Sequence, residues 1–395
     1  MEESIRITTP SWKRDHENRE ARLISRRAAA AREMSVDKVL LFVILALTLF
    51  GLVMVYSASA MLAQKRYGSQ FYFLIRQSVW ALVGLVGMAA AIRIDYRQYK
   101  RPGVALGLLV ISIVMLLVVF FCPVVNGTHR WFRYGAASLQ PSEITKPALV
   151  LILAYFLERQ ADRISEFRVT FLPAACVAGM MMGLVALEPD LGTSLSMGLI
   201  FTVVIFVAGA KLRHLATMVI PAIPALAYML MVPWRFQRLM DFLDPWKNQT
   251  TSSFQTVQSL ISIGSGGLTG LGFAQGKQKL FYLPSPHTDF IFAVIGEELG
   301  LIGAGLIIIA FGAVAWRGLR AARMAPDQFG QLLAMGLTVM IAAQAFFNIS
   351  VALSLLPAKG IPLPFISCGG SSLAINLVAA GVLMNISKHS SEYRV

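Results

Sequence analysis

Apolar residues gather in ten runs, at 39–61, 72–92, 103–121, 143–158, 168–187, 191–210, 213–232, 288–316, 331–356 and 370–388. Most are near the twenty or so residues that a helix needs to cross the hydrocarbon of a bilayer. The fourth run is short, and 189–191 leaves only a very tight turn between the fifth and sixth. The pattern predicts an all-α polytopic membrane protein of about ten transmembrane helices, with one long extracytoplasmic loop at 233–287. It divides the chain into a cytoplasmic N-terminal tail (1–38), a membrane domain (39–388) and a cytoplasmic C-terminal tail (389–395). The first tail is polar and lacks the apolar core of a signal peptide, although EARLISRRAAAAREM has the look of a short amphipathic helix.

Composition agrees with a lipid solvent. Of 395 residues 56% are hydrophobic and 14% charged, where a soluble domain carries about a quarter charged. The net charge of +14 then points to loops facing anionic lipid head groups, not to nucleic acid. Lys and Arg number 23 in the tails and the loops on their side, against seven on the opposite side outside the long loop. The imbalance places both termini in the cytoplasm, and an even number of spans agrees. Cys122, Cys176 and Cys368 are scattered without metal-ligand spacing and read as packing residues.

With that orientation the polar chemistry falls at the outer face. It comprises residues 126–146, the Glu188-Pro189-Asp190 turn, the long loop with Asp289, and KGIPLPFISCGGSS with Ser367 and Ser371. Glu143 and Lys146 share one helix face, and Asp190 is the expected partner of Lys146 across helices. Such a pair can simply pin helices together, or it can line a polar pocket. Pro284 and Pro286 hold an extended approach, His287 and Thr288 are capping candidates, and Asp289 falls in the first helical turn. A carboxylate there is ordinarily just favoured by the helix dipole. Glu297 and Glu298 lie deeper and require partners. Arg130, Arg235, Arg238, Lys247, Lys277, Lys279 and Lys359 form an expected cationic rim, and the glycines between 264 and 276 would let backbone amides approach a phosphate.

Longer blocks resemble the SEDS family (shape, elongation, division and sporulation) of membrane peptidoglycan glycosyltransferases. They include GLVMVYSAS, NGTHRW, LQPSEITK, LEPDLGT, RFQRLMDFLDPW, FQTVQSLISIGSGGLTGLGF, LPSPHTDFIFAVIGEELG and LLPAKGIPLPFISCGGSS, spread over about 39–388. The wording of these blocks is closer to the division branch than to the lateral-wall branch. The family usually shows Tyr where this chain has Cys368.

The resemblance implies polymerisation of lipid II at the outer leaflet, at the division septum of a bacterial inner membrane. It implies Asp289 as the catalytic residue and Glu143, Lys146 and Asp190 as a polar cavity. It also implies a class B penicillin-binding protein and other division proteins as partners, and a divalent cation, Mg²⁺ or Mn²⁺, in activity. Two other readings of the residues remain. A lipid II transporter would use Lys146 and Asp190 at depth, but no inverted repeat or second half-site accompanies them. A scaffold would tolerate changes at Asp289, whereas an enzyme would not.

Overall fold

The structure, a computed structural model, describes residues 36–123, 128–134, 137–248, 251, 253–280 and 282–389. Most of the expected N-terminal and C-terminal tails therefore lies outside the described residues, with the expected amphipathic helix and Asn126-Gly127 of NGTHRW.

Among the described residues, ten long helices occupy the ten expected places. They are α1 (Lys38–Tyr67), α2 (Tyr72–Arg93), α3 (Pro102–Val118), α4 (Pro141–Arg159), α5 (Leu172–Leu187), α6 (Leu191–Val207), α7 (Leu212–Leu230), α10 (Ile291–Arg323), α11 (Gln328–Ala352) and α12 (Gly370–His389). The long loop holds two more, α8 (Pro233–Leu243) and α9 (Phe254–Gly266). Among the described residues seven helices are long and apolar enough to cross a membrane; α6 is apolar but shorter. Helix α4 carries Glu143, Lys146, Glu158 and Arg159, all of which need partners. One departure from an all-helical chain is a small hairpin before α4, β1 (Phe132–Tyr134) with β2 (Ala137–Leu139), in which Arg133 pairs with Ser138.

Aspartates cap the starts of α1, α6 and α11. Asp37 accepts from Leu40 N–H at the start of α1, and Gly68 ends it with φ 72°. Asp327 accepts from Gly330 N–H at the start of α11 and from the Tyr96 hydroxyl. At that same end Arg317 pairs with Asp37 and Lys100 with Glu158.

Close packing between helices uses small residues, as expected where lipid gives no hydrophobic drive to helix association. A Cβ on Gly84 of α2 would lie 2.9 Å from Ala374 Cα, and one on Gly381 of α12 would lie 2.6 Å from Met88 O. Gly370 lies under the Trp80 ring.

Helix α10 is broken. Gly300 takes φ 65°, ψ −164°, and cannot continue the helical ladder. A break inside a span exposes backbone groups that hydrocarbon cannot satisfy. The glycine-rich segment supplies partners from the side. Leu271 N–H donates to Glu297 O, Gly272 N–H to Glu298 O, Leu301 N–H to Gly267 O and Ile302 N–H to Leu268 O. These are the glycines expected to approach a phosphate. Instead Gly266 and Gly270 are small so that a loop can enter the gap in α10: a Cβ on Gly270 would stand 2.1 Å from Glu298 O.

The carboxylates beside the break finish the seam. Glu297 accepts from Lys277 N–H at 2.7 Å and from the Ser262 hydroxyl; Glu298 accepts from the Ser57 hydroxyl, Ala274 N–H and Lys279 Nζ. The partners that these two glutamates require are thus drawn from α1, α9 and the loop.

Gly270→Ala should destabilise the protein strongly. The left-handed φ of 83° alone costs a non-glycine residue on the order of 1–3 kcal/mol, and the clash adds to it. The check is a thermal unfolding midpoint in detergent. It should fall well below that of a nearby control, Leu268→Ala, which trims an exposed side chain.

Candidate functional site

Asp289 occupies the turn immediately before α10, whose N-cap is Phe290. It is therefore ahead of the first helical turn, not within it, and the helix start has no side-chain cap. Thr288 is correspondingly no cap: its hydroxyl donates to Ser285 O at 3.2 Å. His287 is buried with its ring 4.5 Å from that of Phe73, and burial lowers its pKa to about 4. It is neutral at physiological pH and supplies packing.

The backbone of this turn is held from two sides. Asn348 of α11 donates its Nδ2 to Asp289 O at 2.8 Å and to Ile361 O at 2.7 Å. The Ser367 hydroxyl donates to Thr288 O at 2.6 Å and accepts from Leu363 N–H. Cys368 N–H donates to His287 O at 2.8 Å. The contact at 368 is thus made by main chain, so a family tyrosine is not needed for it. Burial raises the Cys368 thiol pKa to about 11, which keeps it protonated.

The Asp289 carboxylate keeps partial solvent access while protein surrounds it closely. Burial raises its pKa to about 6; Asp190 adds to the rise, and Arg130 and Arg238 oppose it. Those causes identify its electrostatic neighbours. Asp190 caps α6 by accepting from Thr193 N–H at 3.1 Å, and it also accepts from the Thr193 hydroxyl and Gln140 Nε2. Arg130 donates to the carbonyls of Glu188 and Pro189, so it ties the hairpin side to the α5–α6 turn. Lys359 is half-buried; burial lowers its pKa and Asp190 partly restores it. Gln140 N–H donates to the Ser371 hydroxyl, which closes the ring onto α12.

Several expectations are corrected here. Lys146 does not pair with Asp190. Its Nζ donates to Glu143 Oε1 at 2.9 Å and to Gln344 Oε1 at 2.8 Å, and Gln344 in turn donates to Pro362 O. Lys279 is not on a rim: it is buried 2.5 Å from Glu298 Oε1. Lys277 is exposed, and its amide serves Glu297. Lys247 is exposed beyond the end of α8. Arg238 is exposed on α8, while the Arg235 side chain lies outside the described residues. The cations that act on Asp289 are accordingly Arg130 and Arg238, while Lys359 acts on Asp190.

Three residues of the site did not stand out in one dimension. Asn348 and Gln344 lie in an otherwise apolar helix, where an amide at depth was the available clue. Glu188 read as part of a turn, yet it is fully buried, and neither of its carboxylate oxygens has a partner among the described residues. Burial, with Asp190, raises its pKa to about 8, while Arg130 opposes that. Glu188 is thus protonated at neutral pH. On the Arg238 side of the site lies a cavity of about 460 Å³, lined also by Gln237, Gln255, Thr256, Pro284 and Leu356.

Ten long helices, seven of them long and apolar enough to cross a membrane among the described residues, define a polytopic membrane protein with a carboxylate and its cationic neighbours gathered at one end. The model of the family described as "Cell cycle protein", which groups FtsW, RodA and SpoVE, matches residues 37–392, and the chain belongs to this family. A relative from Geobacter metallireducens, named probable peptidoglycan glycosyltransferase FtsW, is 42% identical over 356 residues, covering 89% of this chain and 94% of its own length. Stage V sporulation protein E of Bacillus subtilis is 41% identical, covering 91% of this chain and 99% of its own.

Two solved structures are similar at 28% identity. One, described as the structural coordination of polymerization and crosslinking by a peptidoglycan synthase complex, has a TM-score of 0.74, covering 90% of this chain and 98% of that one. The other, the rod shape determining protein RodA of Thermus thermophilus, has a TM-score of 0.67, covering 92% and 99%.

Gly360 faces the carboxylate directly: a Cβ there would lie 3.2 Å from Asp289 Oδ2. Gly360→Val should cover the carboxylate and cut any Asp289-dependent activity at least about tenfold by misplacing what approaches it. Because Gly360 is exposed with an ordinary φ, the thermal midpoint should stay near that of the unmodified chain.

Proposed function

We propose that the chain is a peptidoglycan glycosyltransferase that polymerises lipid II at the outer face of the cytoplasmic membrane during cell division. The observation that carries this reading is Asp289, a solvent-reachable carboxylate at the end of a span, with Arg130 and Arg238 as its cationic neighbours and Lys359 facing the adjacent Asp190. Family membership and the names of the 41–43% identical relatives support the activity, and the several relatives named FtsW support the septal role. The Lys and Arg imbalance supports the orientation that puts Asp289 outside.

The substrate's lipid tail stays in the bilayer while its sugars are in water, which is why a base is needed at the boundary. Asp289 takes the proton of the acceptor GlcNAc 4-hydroxyl as that oxygen attacks the anomeric carbon of the donor. The bond from that carbon to the pyrophosphate breaks, and the leaving lipid pyrophosphate keeps the electron pair. One displacement inverts the α-linked donor to a β-glycosidic bond and requires no protein nucleophile. Charge on the leaving group is met by the cations, since a pyrophosphate does not need a general acid. Among the described residues no three His, Cys, Asp or Glu side chains converge to hold a metal ion. A divalent cation, if bound with the substrate, would supply further positive charge against the leaving pyrophosphate.

The crosslinking partner in this reading is a class B penicillin-binding protein. A structural neighbour described as a complex that coordinates polymerization with crosslinking supports that assignment.

Purified protein with lipid II, Mg²⁺ and its transpeptidase partner tests the function. Asp289→Asn preserves shape and removes the base, so glycan synthesis should fall by about 10²–10⁴-fold or more. Glycan made at the full rate by that variant would overturn the reading. A second test follows from the raised pKa. A base works only as carboxylate, so kcat/KM should fall about tenfold per pH unit below about 6 and level off above it.

A further inference from the structure

Three consecutive carbonyls, those of His287, Thr288 and Asp289, each accept one hydrogen bond, from three different donors: Cys368 N–H, the Ser367 hydroxyl and the Asn348 amide. The turn belongs to no helix or strand, so no ladder fixes its peptide planes. A buried carbonyl without a partner is costly, and rotating any of these planes to find another donor would swing the carboxylate. Two of the three donors are side chains, and both come from elements remote in sequence.

We propose that Asn348 and Ser367 are positioning residues that fix the orientation of the Asp289 carboxylate for proton abstraction. The inference rests on the function proposed above. Asn348 suits the task because a planar amide carries two donors, and both are used on carbonyls, one of Asp289 and one of Ile361. Its Oδ1 has no partner among the described residues, so the side chain contributes donors alone. Ser367 relays in the same direction, accepting from Leu363 N–H and donating to Thr288 O. Together they zip the turn at 287–289 to the segment 361–368. Gly360, at the head of that segment, is thereby held against Asp289 Oδ2. The base and the surface its substrate must pass are set by one set of bonds. Neither residue touches the reacting atoms.

The experiment compares the full chain with Asn348→Ala, Asn348→Asp and Ser367→Ala, with Asp289→Asn as the reference for loss of the base. Asn348→Asp keeps the shape and removes both donors. Polymerisation of purified lipid II is measured from pH 5 to pH 8, and folding is followed by thermal unfolding and monodispersity. A carboxylate misplaced by an ångström or so should lower kcat about 10–100-fold with KM changed less than about twofold. The acidic limb of the pH profile should move away from that of the unmodified chain, because the surroundings of Asp289 change. A merely structural role would lower the thermal midpoint and leave the limb in place.

Folded variants with unmodified kcat and an unmoved limb would overturn the proposal. Should the Asn348 variants fail to fold, the smaller Ser367→Ala change decides by the same readouts. If the unmodified chain and Asp289→Asn polymerise equally, the function proposed above fails instead, which is a separate result.

Discussion

Hydrocarbon offers no hydrogen bonds, so a backbone group left open within a membrane span must find a protein partner. The break at Gly300 is where this constraint acts most strongly. It opens the ladder of α10, and the segment 267–272 is drawn in to close it. That closure fixes the far end of the long loop, and Glu297 and Glu298 then hold the stretch 274–279. The chain enters α10 shortly afterwards, so Asp289 is delivered to a defined place at the head of the helix. The same rule, applied to the carbonyls of 287–289, brings α11 and the segment 361–368 against that place.

Charges divide into two groups by what surrounds them. Lys146 with Glu143, and Lys279 with Glu298, are buried pairs with further polar partners. A pair of this kind is weak evidence of net stabilisation, but losing one member strands the other, a loss of about 3–5 kcal/mol. They are committed to structure. Asp289, Arg130, Arg238 and Lys359 form the second group, at the end of the bundle where water reaches. Asp190 stands between the groups: it caps α6 and accepts from Gln140, yet its charge raises the Asp289 pKa.

The likeness to solved structures at 28% identity extends over nine-tenths of the chain, and substitution at one motif position shows how such divergence is absorbed. At position 368 the resemblance leads to an expected tyrosine, where this chain has cysteine. Because the position bonds His287 through its amide, the side chain can change while the turn stays in place.

The places of the ten long helices were legible in sequence because hydropathy is a local, additive property that a run of residues carries by itself. Asp289 could be seen as a charged residue at the edge of an apolar run, but the local pattern alone did not distinguish it from an ordinary carboxylate at a helix start. What could not be read was which polar group meets which. Asp190 looked like the partner of Lys146 from depth alone, yet rotation of α4 turns Lys146 towards Gln344 of α11. Lys279 looked like rim because it sits in a polar loop, but the break in α10 folds that loop inward onto Glu298. Asn348 gave one buried amide and no hint of its target, 59 residues away. Depth in the membrane is set by each helix's own residues, whereas rotation and register between helices are set only when all of them pack.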